Sequence, residues 1–341
     1  MNNHLMSPGK LLDAKGNLRE PGYAFELNQE YSRKDIKAPK WRIKEWDYYY
    51  FGDDHYGLAV TVDDNGYMGL ASASILNFDD KSFINKAYMY WFCMGKVGMP
   101  STSVTGSVSK SGKNYNVSII NNNGSRRIVV DMKKYKEGKD LHIDVILSMT
   151  TDKSMVIATP WPKKKHFYYN QKINLLKVEG SFKFGDFEYK FNDKAYGVLD
   201  WGRGVWTYKN TWYWSSMSGE CDGHKIGFNL GYGFGDTSAA SENMLFVDDK
   251  AFKLNDVTFE IPQTSKGKDD FLKPWKFTSK DGSIDMIFTP ILDRADCTNA
   301  LLICQNAHQV FGKFNGTIKA EGKEYKIIDM IGFAEKVSNR W

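Results

Sequence analysis

Alternation, not helical periodicity, organises this chain. Leu141, Ile143, Val145, Leu147 and Met149 point one way while His142, Asp144 and Ser148 point the other, the side-chain period of a half-buried strand. Phe182 and Phe184, the pair Gly185-Asp186, then Phe187, Tyr189 and Phe191 predict two strands around a tight turn. Val257, Phe259 and Ile261 alternate, as do Ile284, Met286 and Phe288. Turn pairs punctuate the strands: Asp64-Asn65-Gly66, Asn123-Gly124, Asp222-Gly223, Asp248-Asp249, Asp281-Gly282 and Glu321-Gly322. Their spacing predicts a meandering all-β barrel or sandwich. No long segment carries an i, i+3, i+4, i+7 apolar stripe, so helices should be few and short.

The pattern also divides the chain. Residues 1–40 are polar and turn-rich, with Pro8, Pro21 and Pro39, and are expected to wrap the surface. From Trp41 onward the chain reads as strands. The block from Trp46 to Phe78 and the block from Thr211 to Phe234 share one order: aromatic strand, turn, apolar strand, Gly-Tyr segment. Two related halves are therefore expected, residues 41–195 and residues 196–341.

Composition narrows the function classes. The 341 residues suit two domains, and aromatics reach 15%. A net charge of +5, with no aromatic-studded basic stripe, argues against nucleic acid as a partner. The N-terminus lacks a basic region followed by an apolar core, and no apolar run approaches the ~20 residues that cross a bilayer. With four cysteines and no CxxC, the expected setting is a reducing, cytoplasmic one. The six histidines show no zinc-like spacing, and no Walker, GxSxG or HExxH motif is present, so neither metal nor cofactor is expected. Gly231, Gly233 and Gly235 lie in strand context and read as relief of crowding or as a bulge, not as a nucleotide loop.

Candidate chemistry concentrates between Tyr196 and Val247. Trp201, Trp206, Trp212 and Trp214 are interleaved with Asp200, Arg203, Glu242 and Asn243, the make-up of an apolar pocket wall with a few fixed polar groups. Asp200 and Arg203 read either as a salt bridge bracing a turn or as an acid tuned by a cation. Glu242, just before the apolar Met244–Val247 run, reads as a rim residue or as a carboxyl kept protonated by desolvation, hence a general acid. Trp212 and Trp214 share one strand face, as core residues or as a stacking platform for a flat ligand. His308, between apolar positions, is a core or rim residue or a proton-shuttling group.

The motifs Asp200-Trp-Gly-Arg-Gly-Val-Trp206, Trp212-Tyr-Trp214, Glu242-Asn-Met-Leu-Phe-Val247, His308-Gln-Val-Phe-Gly312, Gly332-Phe-Ala-Glu335 and Arg340-Trp341 resemble the family called domain of unknown function 2804 (DUF 2804). More distantly, the layout resembles two-barrel lipocalin-like proteins that include carotenoid hydratases, although their His-x-Trp pattern is replaced by Thr211-Trp212. The resemblance implies an all-β fold of two lipocalin-like antiparallel barrels with a hydrophobic small-molecule ligand near the join. It implies cofactor-free acid–base chemistry (hydration, isomerisation or cyclisation) on a lipid- or isoprenoid-like alkene. Glu242 or Asp200 would donate the proton, His308 would orient or shuttle, and Arg203 would clamp a polar head group. Peripheral membrane contact would let such a protein collect its ligand. A non-catalytic carrier of a hydrophobic molecule, or a carbohydrate-binding protein, would use the same aromatic wall.

Overall fold

A computed structural model describes residues 3–300 and 303–340; Trp341 of the terminal motif lies outside them. The fold is all-β, with two 3-10 turns at Arg33–Asp35 and Lys40–Arg42. The paired turns behave as the sequence predicts. Asn123-Gly124, Asp222-Gly223 and Glu321-Gly322 each place both residues at positive φ, the geometry of a two-residue hairpin loop that matches strand twist.

Two large antiparallel sheets account for nearly all strands. The first runs from Ser82–Trp91 through Met68–Asn77, Tyr56–Asp64, Ile43–Gly52, Tyr196–Val205, Phe167–Phe184, Lys139–Met149, Ser125–Lys136 and Tyr115–Asn122 to Thr105–Gly112. Its ends approach through side chains: Tyr88 stacks on Tyr115 at 4.2 Å, and the Lys110 ammonium lies 4.4 Å from the Tyr90 ring centre. The second runs from Lys250–Lys253 through Lys209–Cys221 and Lys323–Arg340 to Val257–Glu260. Only residues 254–256 separate its two end strands, which forces the sheet to curl back on itself. Among the described residues no helix is long and apolar enough to cross a membrane.

The strand Tyr196–Val205 pairs with Ile43–Gly52 on one side and Phe167–Phe184 on the other, so it belongs to the first sheet. The chain therefore changes sheet between Val205 and Lys209 and not at residue 196. Without this strand the first sheet would split into two pieces, each with an open edge. Near the N-terminus, Gly22–Ala24 pairs with Met155–Pro160, Met6, Leu11, Leu12 and Tyr31 are buried against the first barrel, and His4 N donates to Ala239 O in the connection between His224–Tyr232 and Met244–Val247.

Three apolar clusters result. One fills the first barrel, with Tyr49, Phe51, Leu199 and Trp201; one fills the second, with Phe228, Leu245, Phe277 and Phe288. The third lies between the barrels and includes Tyr48, Tyr50, Tyr168, Trp214, Phe246 and Phe333. Strands at the join are thus buried on both faces: Tyr48 and Tyr50 face the second barrel while Tyr49 and Phe51 face the first interior.

Arg203 sits on the inner face of its strand, fully buried. Its guanidinium donates to Asp47 Oδ1 at 3.0 Å, Trp46 O at 2.7 Å, Gly202 O at 2.8 Å and Pro100 O at 2.8 Å, and it lies 4.1 Å from the Trp201 ring centre. Several of these bonds need the planar fork, which an ammonium does not offer. Arg203→Lys is expected to lower stability by about 3 kcal/mol, read as the urea midpoint. An unchanged midpoint would show that Arg203 does not brace the barrel.

Candidate functional site at the join of the barrels

The strand Phe167–Phe184 carries an unusual pattern at its start, FYYNQKINLL, buried at every position. Phe167 and Tyr169 enter the first barrel; Tyr168, Asn170 and Lys172 turn toward the join. Asp200 also faces the join, and its Oδ1 accepts Asn170 Nδ2 at 2.6 Å and Lys172 Nζ at 2.8 Å. The Lys172 side chain is 1% exposed and its ammonium lies 3.8 Å from the Trp214 ring centre. A cation over an aromatic face in a dry setting gains more than the same contact in water.

Opposite this ion pair stands Glu335, from the strand Lys323–Arg340. Its Oε1 accepts Trp212 Nε1 at 2.7 Å and its Oε2 accepts Gln309 Nε2 at 3.1 Å. Gln309 Oε1 in turn accepts Arg294 Nη2 at 2.6 Å and Tyr48 OH at 3.1 Å, and Arg294 Nη1 reaches across the join to Ser74 Oγ at 2.9 Å. Burial, the dominant effect, pushes the Glu335 carboxyl up to about 7 despite the Trp212 hydrogen bond and the Lys172 charge.

These groups border a cavity of about 310 Å³ between the sheets. Trp46, Tyr48, Tyr168, Trp206, Trp212, Trp214 and Phe234 form its aromatic wall; Lys172, Asp200, Arg294, Gln309 and Glu335 supply its polar groups. Gly202 permits the wall to form, because a Cβ there would stand 2.0 Å from the Trp46 ring. Among the described residues no group of three or more His, Cys, Asp or Glu is placed to hold a metal ion.

Of the candidates from sequence, Asp200, Trp206, Trp212 and Trp214 meet at this cavity. Trp201 and Arg203 face the first barrel interior, because odd-numbered residues of that strand point inward. Arg203 is therefore a structural brace away from any ligand head group. Asn243 spends its side chain on the backbone, accepting from Gly231 N at 2.7 Å and donating to Asn255 O at 2.9 Å. His308 points to the other face of its strand. Its Nδ1 lies 2.7 Å from Asp293 Oδ2, its ring stacks on Phe271 at 3.8 Å, and it borders a separate hollow with Asp269 and Lys336. It does not meet Asp200 or Glu242.

Glu242 is 2% exposed and is not among the cavity-lining residues. Its carboxyl lies over Gly231, where a Cβ would stand 2.1 Å from Oε1, so this glycine does relieve crowding. Neither carboxyl oxygen meets a hydrogen-bond partner among the described residues. Burial pushes Glu242 up to about 7, with Lys172 opposing and Asp200 reinforcing the shift. The Tyr168 hydroxyl, on a residue that lines the cavity, is raised well above the usual range first by burial and then by the Glu242 charge.

Sequence reasoning missed Lys172, Glu335, Tyr48, Tyr168, Gln309 and Arg294 as site residues. For Lys172 a signal existed: a lysine inside an apolar run needs a buried counter-ion. Glu335 closed one of the recognised motifs but carried no local mark of its depth.

Two curled antiparallel sheets with aromatic, partly polar space between them define a two-barrel lipocalin-like protein. The chain belongs to the family described as domain of unknown function DUF2804, whose profile matches residues 2–341. No curated protein matches it by sequence. Among solved structures, it is similar to kievitone hydratase from Nectria haematococca, with a TM-score of 0.55 and 13% identity over 98% of each chain. It is also similar to a Nitrosomonas europaea protein described as an AttH (TM-score 0.54, 11% identity, 91% of this chain and 97% of that one). CghA with Sch210972 aligns at a TM-score of 0.50 and 9% identity, over 98% of this chain and 97% of that one. At such identities the likeness establishes a common fold.

Two expectations follow from the geometry. Lys172→Met and Asp200→Asn should each destabilise by about 3–5 kcal/mol, since each strands the partner's charge in the join. The double variant should recover about 2 kcal/mol or more of the summed loss in a denaturation cycle; strict additivity would mean the pair is not coupled. Glu242 concerns pH. Its folded pKa, about 7, lies above its ordinary 4.5, so its contribution is full below pH 4.5 and is lost as pH rises through about 7, a change of about 3 kcal/mol. Glu242→Gln cannot ionise, so its melting temperature relative to wild type should climb between pH 5 and 8. A constant offset across that window would refute the assignment.

Proposed function

We propose that the cavity at the join binds a hydrophobic, unsaturated small molecule and carries out proton-initiated, cofactor-free chemistry on it. One observation carries this reading: a carboxyl held protonated to about pH 7, Glu335, borders an aromatic-walled cavity beside a fixed Lys172–Asp200 pair. The fold relationship to kievitone hydratase supports it at the level of architecture.

In this scheme Glu335 gives its proton to one carbon of an isolated alkene. The positive charge that forms on the neighbouring carbon faces the rings of Trp214 and Tyr48 and the Asp200 carboxylate. Water then adds to the cation and its proton returns to Glu335, completing a hydration. Loss of a different proton completes an isomerisation, and attack by a second alkene completes a cyclisation. The reaction type depends on the ligand's own skeleton and on whether water enters.

A second reading, a non-catalytic carrier, is favoured by one specific fact. Both Glu335 oxygens already accept hydrogen bonds, from Trp212 and Gln309, which fixes the carboxyl as a structural anchor.

Extraction of purified protein followed by mass spectrometry should recover an apolar ligand. Turnover of an alkene panel should incorporate solvent deuterium and fall as pH rises through about 7, because the acid must be protonated. Glu335→Gln should lose about 10²-fold or more in turnover while still retaining ligand. Ligand recovered unchanged, with no deuterium uptake on any substrate, would establish the carrier.

A further inference from the structure

The cavity opens along the hairpin formed by Met68–Asn77 and Ser82–Trp91. Met68, Leu70 and Ser72 line it from one strand, Asn85 and Ala87 from the other. In this register Met68 lies opposite Trp91, Leu70 opposite Met89 and Ser72 opposite Ala87. Opposed residues share a face. The cavity wall therefore continues, without a change of face, into Met89 and Trp91, which are 52% and 59% exposed, and then to Phe92 at 68%.

More exposed aromatics gather at the same rim. Phe92 N donates to Tyr67 O and Met94 N to Gly66 O, and Gly66 lies against the Trp41 backbone. Trp41 and Tyr208 are both exposed, and the Arg42 guanidinium lies between them, 4.4 Å from the Trp41 ring centre and 5.8 Å from that of Tyr208. Tyr208 follows Trp206, a cavity residue, by two positions.

The two segments that carry Trp41, Trp91 and Phe92 bear only basic charge. Residues 37–44, KAPKWRIK, and residues 91–100, WFCMGKVGMP, contain no acid; Lys37, Lys40 and Lys96 are exposed. Large apolar and aromatic side chains flanked along the chain by exposed lysines, and continuous with an aromatic-walled cavity, match the polar–apolar gradient of a lipid headgroup region. We propose that this rim is a membrane-docking surface: it seats on an anionic bilayer, with Trp91 and Phe92 entering the headgroup boundary and the lysines facing lipid phosphates. Docking in this pose turns the cavity mouth toward the bilayer. The use of that pose to collect ligand rests on the hydrophobic-ligand reading above; the docking itself does not.

Flotation of the full chain with vesicles of phosphatidylcholine plus about one-third phosphatidylglycerol tests it without recourse to turnover. Wild-type protein is expected to float with these vesicles, to bind pure phosphatidylcholine weakly, and to release as salt rises toward 1 M, where the screening length falls to about 3 Å. Trp91→Ser/Phe92→Ser should lower the vesicle partition coefficient about tenfold or more. Lys40→Glu/Lys96→Glu should lower it on anionic vesicles alone. Leu272→Ser, an equally exposed apolar residue outside the cavity lining and the two rim segments, should leave it unchanged. No flotation on anionic vesicles, or equal flotation of the Trp91/Phe92 variant, overturns the proposal. So does a dimer in sedimentation velocity that dissociates in that variant while vesicle binding is absent, which would make the rim a contact between two copies of this chain.

Discussion

Burial on both faces of the same strands is the constraint on which this structure depends. A barrel needs only one apolar face per strand, and the other can meet water. Here Ile43–Gly52, Tyr196–Val205 and the first half of Phe167–Phe184 have no water-facing side, because a second barrel covers their outer surface. Each must therefore supply two sets of side chains at once, an inner set that fills the barrel and an outer set that packs across the join. Aromatic runs such as Trp46 to Phe51 meet that demand, since a large ring of either parity finds a partner. Any polar residue at an outer position must find its partner within the join itself.

That requirement produces the site. Lys172 and Asp200 satisfy one another, Asn170 reinforces Asp200, and the Lys172 ammonium closes against Trp214. Glu335, Gln309, Arg294, Tyr48 and Ser74 form a second chain of bonds that ties the outer faces of both barrels together. The polar groups that could act on a ligand are thus the same ones that register one barrel against the other. Removing any of them tests stability and chemistry together, which is why binding must be read separately from turnover.

How much of this was legible in the sequence follows from the same constraint. The strands with one exposed face, such as Lys139–Met149 and the hairpin Phe182–Phe191, show clean alternation and were readable. The turn pairs were readable too, because positive φ selects Asn, Asp and Gly. The doubly buried strands were not: without alternation, parity cannot be assigned, so Trp201 and Arg203 looked as eligible for the pocket as Asp200. The same blindness drew the line between the expected halves at residue 196, since Tyr196–Val205 has the composition of either barrel. Lys172 and Glu335 lie far from the aromatic-rich stretch in sequence and reach it only through strand pairing.

The electrostatics of the join bear on what it can hold. Three carboxyls, those of Asp200, Glu242 and Glu335, lie within the field of Lys172, with Lys253 also acting on Glu242 and Arg294 on Glu335. Unit charges 4 Å apart interact by about 4 kcal/mol at the dielectric typical of protein sites. A second carboxylate near the Lys172–Asp200 pair would meet the repulsion of Asp200 as well as its own desolvation, and Glu242 and Glu335 are both pushed toward protonation. An anionic ligand would have to compete with Asp200 for Lys172 and with Gln309 and Ser74 for Arg294, and a cationic one would have to shed its hydration against an aromatic wall. A neutral, apolar molecule faces neither penalty.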